Sequence, residues 1–172
     1  MKKGMQSLLL VSACAAAPVA VAADMAVRIA IPRLAVAEYH RPYVAVWLEN
    51  DSGAATTLSV WYDTDMRNNE GTKWLKDMRQ WWRKSGRELV MPMDGVSGAT
   101  RPVGEHTLSF TDKQSPLKGL APGAYRLRVE AAREVGGREL VDIPFTWPPV
   151  KSQQLKANGT SELGAVQLIL KP

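Results

Sequence analysis

The chain has 172 residues, 45% of them hydrophobic and 23% charged, with 22 basic against 17 acidic side chains. That length suffices for one domain with a real core. A formal charge of only +5, without any run of five like charges, excludes the basic tract of a nucleic-acid binder.

At the start of the chain, Lys2 and Lys3 precede an Ala-rich apolar run from Ser7 to Val21, and Ala20-Val21-Ala22 supplies small residues before a cleavage point. This is the pattern of a cleaved secretory signal over residues 1–23, with the mature chain beginning at Ala23 or Asp24 and one domain over 24–172. The run is short for a membrane span and is broken by Pro18. Cys14, the only cysteine, stands in a passable lipoprotein box, Val11-Ser12-Ala13-Cys14, so a lipid-anchored start at Cys14 is the alternative. Cleavage after Ala22 or Ala23 leaves no cysteine, hence no disulfide and no thiolate metal site. It also removes Lys2 and Lys3, leaving 20 basic against 17 acidic residues.

Ala26 to Leu34 alternates Val27, Ile29 and Ile31 with less apolar residues, the period of a strand. Tyr43 to Glu49 and Thr56 to Tyr62 repeat it on either side of the turn cluster Asn50-Asp51-Ser52-Gly53, which predicts a hairpin with Trp47 and Trp61 as cross-strand neighbours. The period then changes. Trp74, Leu75, Met78, Trp81 and Trp82 fall on one face of a helix over 72–85, with Thr72 as N-cap, a basic opposite face and Gly86 as the stop. Glu105 to Phe110 returns to strand. Leu120-Ala121-Pro122-Gly123-Ala124-Tyr125 leads into a strand over Tyr125 to Ala132, and Gly136-Gly137 turns it into a second over Arg138 to Trp147. Residues 151–162 read as polar and loose, and Gly164 to Leu170 adds a last strand. Roughly seven or eight strands with one inserted helix give an all-β sandwich. The L-x-P-G-x-Y entry resembles the tyrosine corner of immunoglobulin-like and fibronectin-like sandwiches.

Between helix and strand lies a loop over 92–102 that contains Asp94-Gly95-Val96-Ser97-Gly98-Ala99-Thr100, stiffened at its ends by Pro92 and Pro102. It lacks the lysine of a phosphate-cradling loop. Ser97 lacks the elbow context of a hydrolase nucleophile, and nothing supports a triad with His106. His40 and His106 are far apart, which leaves no zinc pattern. Asp63-Thr64-Asp65 with Asn68, Asn69 and Glu70 fails as a calcium loop because Gly71 is out of place. Thr100 is a poor nucleophile that needs a base or metal from elsewhere. No catalytic residue and no metal ligand is assigned.

Asp94, Ser97, Gly98, Ala99 and Thr100 match a known pattern: the loop resembles the D-x-x-[ST]-G-A-[ST] acceptor motif for covalent flavinylation. That resemblance implies that a flavin transferase joins FMN to the Thr100 hydroxyl as a phosphodiester. The wider chain, from Ala26 to Leu140, resembles domain-of-unknown-function family 2271, small exported proteins. The resemblance rests on Arg41-Pro42-Tyr43-Val44-Ala45-Val46-Trp47, Lys73-Trp74-Leu75, Trp81-Trp82-Arg83, Asp94 to Pro102 and Pro122-Gly123-Ala124-Tyr125. It implies a periplasmic redox protein that receives electrons from a membrane-bound partner and relays them rather than a catalyst. Arg101 is then expected beside the phosphodiester, and Trp81 or Trp82 beside the isoalloxazine. The reading from another class is a cofactor-free, immunoglobulin-like binding module that presents the tryptophans and the basic helix to a partner.

Overall fold

The computed structural model describes residues 23–172. Its nine strands are β1 (Asp24–Ile31), β2 (Tyr43–Asn50), β3 (Ala55–Tyr62), β4 (Ser97–Ala99), β5 (Gly104–Thr111), β6 (Gly123–Ala132), β7 (Arg138–Trp147), β8 (Gln153–Asn158) and β9 (Ala165–Lys171). They form a four-stranded sheet in the order β5-β1-β9-β8 and a five-stranded sheet in the order β4-β3-β2-β6-β7. The two sheets make the expected sandwich.

Strict alternation builds the space between the sheets. Met25, Val27, Ile29 and Ile31 of β1 face Val44, Val46 and Leu48 of β2 and Leu127 and Val129 of β6, all buried in one cluster. The other face of the five-stranded sheet is covered too. Ala45, Trp47, Val60 and Tyr62 pack against Leu75, Met78 and Trp81 of the helical insertion. A central strand buried on both faces reads as an unbroken apolar run, and Tyr43-Val44-Ala45-Val46-Trp47-Leu48 is one.

The tyrosine corner is present: Tyr125 Oη donates to the Ala121 carbonyl at 2.8 Å. Trp47 and Trp61 are not neighbours. Trp47 pairs with Thr57, Trp61 pairs with Val44, and a bulge lies between Val46 and Trp47. The extra residue shifts the alternation, so Trp61 joins the cluster between the sheets while Trp47 joins the one under the insertion. Residues 153–158 are a strand rather than loose chain. β8 is a sheet edge whose Leu155 and Ala157 alone turn inward, which leaves its sequence mostly polar.

The helix expected over 72–85 is two pieces. A 3₁₀ segment spans Arg67–Asp77, Met78 breaks it with ψ of 72°, and α1 spans Arg79–Lys84, followed by a 3₁₀ turn at Gly86–Glu88. The break serves a tertiary cap. Glu130 of β6, fully buried, accepts from the Gln80 and Trp81 backbone N–H groups, each at 2.9 Å to Oε2. A carboxylate from another strand thus satisfies donors that a short helix leaves open.

Two further carboxylates latch the β8–β9 connection onto the β6–β7 hairpin. Glu162 forks onto Arg133 at 2.8 and 3.1 Å and accepts from Gly137 N at 2.8 Å. Glu139 accepts from Ser161 N at 3.1 Å and Leu163 N at 2.8 Å, and from the Thr160 amide and hydroxyl. Burial works against the charge on Glu139, but the donors of residues 160–163 prevail and hold its pKa down to about 2 from 4.5.

Because the folded value is the lower one, this stabilisation is complete above about pH 4.5 and disappears as pH falls towards 2. Glu139→Gln is expected to cost about 2 kcal/mol at neutral pH, screening included, and to flatten the stability profile across that window in urea titrations. Trp81 is fully buried, whereas Trp82 is only partly buried at the edge of the same cluster. Trp81→Ala is expected to lower unfolding free energy by about 3–5 kcal/mol and Trp82→Ala by about 1 kcal/mol, measured by denaturant unfolding.

Candidate functional site

The 92–102 loop is held to the free edge of β3. Val60 N donates to the Val96 carbonyl at 2.8 Å, β4 then runs parallel to Val60–Tyr62, and Thr100 N donates to the Tyr62 carbonyl at 3.2 Å. Inside the loop, Gly95 takes a φ of +73° to make the turn. Ser97 closes that turn: its hydroxyl accepts from Met93 N at 2.8 Å and its N–H donates to the Met93 carbonyl at 2.9 Å.

Strand pairing therefore fixes where Thr100 stands. The residue is buried, and its hydroxyl donates to Asp63 Oδ1 at 3.4 Å. Both residues line a cavity of about 890 Å³. Asp63 follows directly on β3 and is held from behind by Gly71, where a Cβ would stand 2.1 Å from the Asp63 carbonyl oxygen. Tyr43 Oη donates to the Gly71 carbonyl at 3.2 Å and keeps that segment in place. Burial, with the Asp63 charge adding to it, pushes the Tyr43 phenol up to about 12, so it remains a donor at neutral pH.

The family model for a predicted periplasmic protein (DUF2271) matches residues 24–165. The chain belongs to the DUF2271 family. No curated protein and no solved structure matches it. The matched span runs from β1 to the start of β9, so the loop and the cavity lie inside the DUF2271 domain.

Beside Asp63 and Thr100, three further parts of this domain wall the cavity. The chain before β2 gives Tyr39 and Arg41, the insertion gives Met66, Trp74 and Arg79, and the β6–β7 hairpin gives Arg133 to Arg138. Trp74 is half exposed at this wall, whereas Arg133 is almost covered. The Arg133 fork on Glu162 leaves its Nη1 buried without a protein partner. Arg41 and Arg79 carry no ion pair among the described residues.

Of the residues that the sequence assigns to the cofactor, Thr100 alone lines the cavity. Asp94 is exposed at the loop tip and Ala99 is exposed on β4. Gly98 lies against Trp61, over whose ring the Arg101 guanidinium sits at 5.5 Å, so Arg101 is directed to Trp61 and not into the cavity. Trp81 is sealed in the core with Nε1 donating to Thr57 Oγ1 at 3.0 Å, and Trp82 packs beside it at 6.2 Å between ring centroids. The indole that the insertion gives to the cavity is Trp74. The sequence reading missed Asp63 as the Thr100 partner because that adjacency comes from strand pairing across 37 residues. The expected signal segment lies outside the described residues, apart from Ala23, which is buried with its N–H donating to Asp112 Oδ2 at 2.9 Å.

Gly71→Ala is expected to push the insertion off Asp63 and lower stability by about 2–3 kcal/mol in thermal or urea unfolding. Tyr43→Phe, which removes only the hydroxyl bond to the same segment, is expected to cost about 1 kcal/mol.

Proposed function

We propose that this protein is an exported electron carrier that bears FMN covalently on Thr100. The observation that carries the reading is the position of that hydroxyl: the last residue of the acceptor motif is the one motif residue that lines the large cavity. The cavity suits such a group. Its volume of about 890 Å³ lies within the range of cofactor pockets. Trp74 and Tyr39 supply aromatic surface for a flat ring, and Arg41 and Arg79 supply guanidinium groups for a phosphate. The isoalloxazine, when bound, supplies the redox chemistry, while this chain binds, orients and shields it.

A covalent tether fits the compartment named in the family description, because a diffusible cofactor released outside the cytoplasm is lost. The partners of this reading are a flavin transferase, which makes the phosphodiester, and a membrane-bound electron donor. Export by a cleaved signal with a start at Ala23 or Asp24 belongs to the same proposal, and the Asp112 carboxylate next to Ala23 N suits a free amino terminus there.

Co-expression with a flavin transferase, denaturation and in-gel flavin fluorescence test the assignment, since only a covalent flavin survives denaturation. Wild type is expected to fluoresce, Thr100→Val to be dark and Thr100→Ser to keep at least part of the signal. Asp94→Ala is expected to lower labelling without loss of folding, because Asp94 stands exposed where another protein can read it. Ser97→Ala is expected to retain the flavin at a cost of about 1 kcal/mol in stability, from loss of the bond to Met93 N. Fluorescence that persists in Thr100→Val defeats the assignment, and a wild type that never labels leaves the cofactor-free binding module.

A further inference from the structure

We infer that Asp63 is the proton acceptor for the attachment reaction at Thr100, so that this chain carries the base for its own modification. The inference rests on the reading of Thr100 as the flavin acceptor. A threonine hydroxyl is essentially protonated at neutral pH and needs a base in contact with it before it attacks phosphorus. Among the described residues the side chain that hydrogen-bonds the Thr100 hydroxyl is the Asp63 carboxylate, with Oδ1 at 3.4 Å. Contacts of this kind are commonly long in the free protein and tighten in the reacting complex.

Two independent features hold the pair in register. Thr100 is fixed through its own N–H on the Tyr62 carbonyl, one residue before Asp63. Asp63 is fixed from behind by Gly71, which comes so close that no side chain fits between them, and Gly71 is in turn bonded by Tyr43. Asp63 and Thr100 both line the cavity, whose volume of about 890 Å³ leaves room for a large phosphate donor to approach.

The step balances as a group transfer. The donor is a flavin adenine dinucleotide presented by the transferase. Thr100 Oγ1 forms a bond to the phosphorus on the FMN side, and the bond from that phosphorus to the bridging oxygen breaks. AMP leaves with the electron pair, and the hydroxyl proton passes to Asp63 and from there to solvent. No electrons are gained or lost by the protein.

The test is the steady-state rate of labelling of the purified full chain by a flavin transferase and flavin adenine dinucleotide, with the acceptor protein varied. Asp63→Asn keeps size and an acceptor oxygen but takes up no proton. Its kcat is expected to fall about a hundredfold with KM for the acceptor unchanged. Asp63→Ser opens space beside the hydroxyl, and labelling of that variant is expected to recover with added formate, a small carboxylate that a purely structural defect would not answer to. Melting temperatures show that each variant is folded, and the formate arm still decides the matter if Asp63→Asn is not. Labelling of Asp63→Asn at the wild-type rate, or a rise in KM alone, overturns the inference while leaving Thr100 as the acceptor. A wild type that never labels overturns the acceptor reading itself.

Discussion

The backbone pairing of Val96 to Thr100 with the edge of β3 is the constraint on which the site depends. A glycine-rich loop has little to hold it in one shape, since its small side chains bury almost nothing. Here the shape comes from the neighbouring strand: a bond from Val60, three residues of parallel ladder and a bond to Tyr62 turn the loop into sheet. The same ladder that seats Thr100 also sets it opposite Asp63, because both are the first residues past the ends of paired strands. Side chains add to this placement where Val96 buries in the cluster under the insertion and Ser97 closes the turn on Met93.

The structure around the loop is arranged by three carboxylates, of which Glu130 and Glu162 are buried and Glu139 is partly so. Glu130, Glu139 and Glu162 each accept from backbone N–H groups of a segment far away in sequence. A buried charge is costly when isolated, but several donors aimed at one carboxylate reverse the balance. Glu130 anchors the insertion to the five-stranded sheet, and Glu139 and Glu162 join the two sheets at the end where the β6–β7 hairpin walls the cavity. The cavity is thus framed by polar latches and lined by groups from four separate stretches of chain.

The strands of the sandwich were largely legible because alternation is a local property, and Val27, Ile29 and Ile31 or Leu127 and Val129 declare it within a few residues. The tyrosine corner was legible for the same reason: Tyr125 and Ala121 are four residues apart. What was not legible depends on distant partners. The extra residue that β3 carries opposite Val46 and Trp47 reverses which face Trp61 takes. The break at Met78 answers to Glu130 on another strand, and it turns Trp74 towards the cavity while Trp81 goes to the core. β8 borrows its order from β9 and carries too few apolar residues to announce itself. Thr100 was found from the motif; its partner Asp63 was not, since no spacing rule links positions joined by sheet adjacency.

The brevity of β4 has a bearing on association. A sheet edge is a row of open backbone groups that another chain can extend, and natural edges are blunted by short strands, prolines and lysines. At one end of the five-stranded sheet β4 closes the long edge of β3 and itself exposes only three residues. At the other end Pro144 removes a donor from β7. In the second sheet β8 presents Lys156 on its polar edge. The segment that carries the threonine is therefore also a stopper, and it guards the sheet against growth by strand addition.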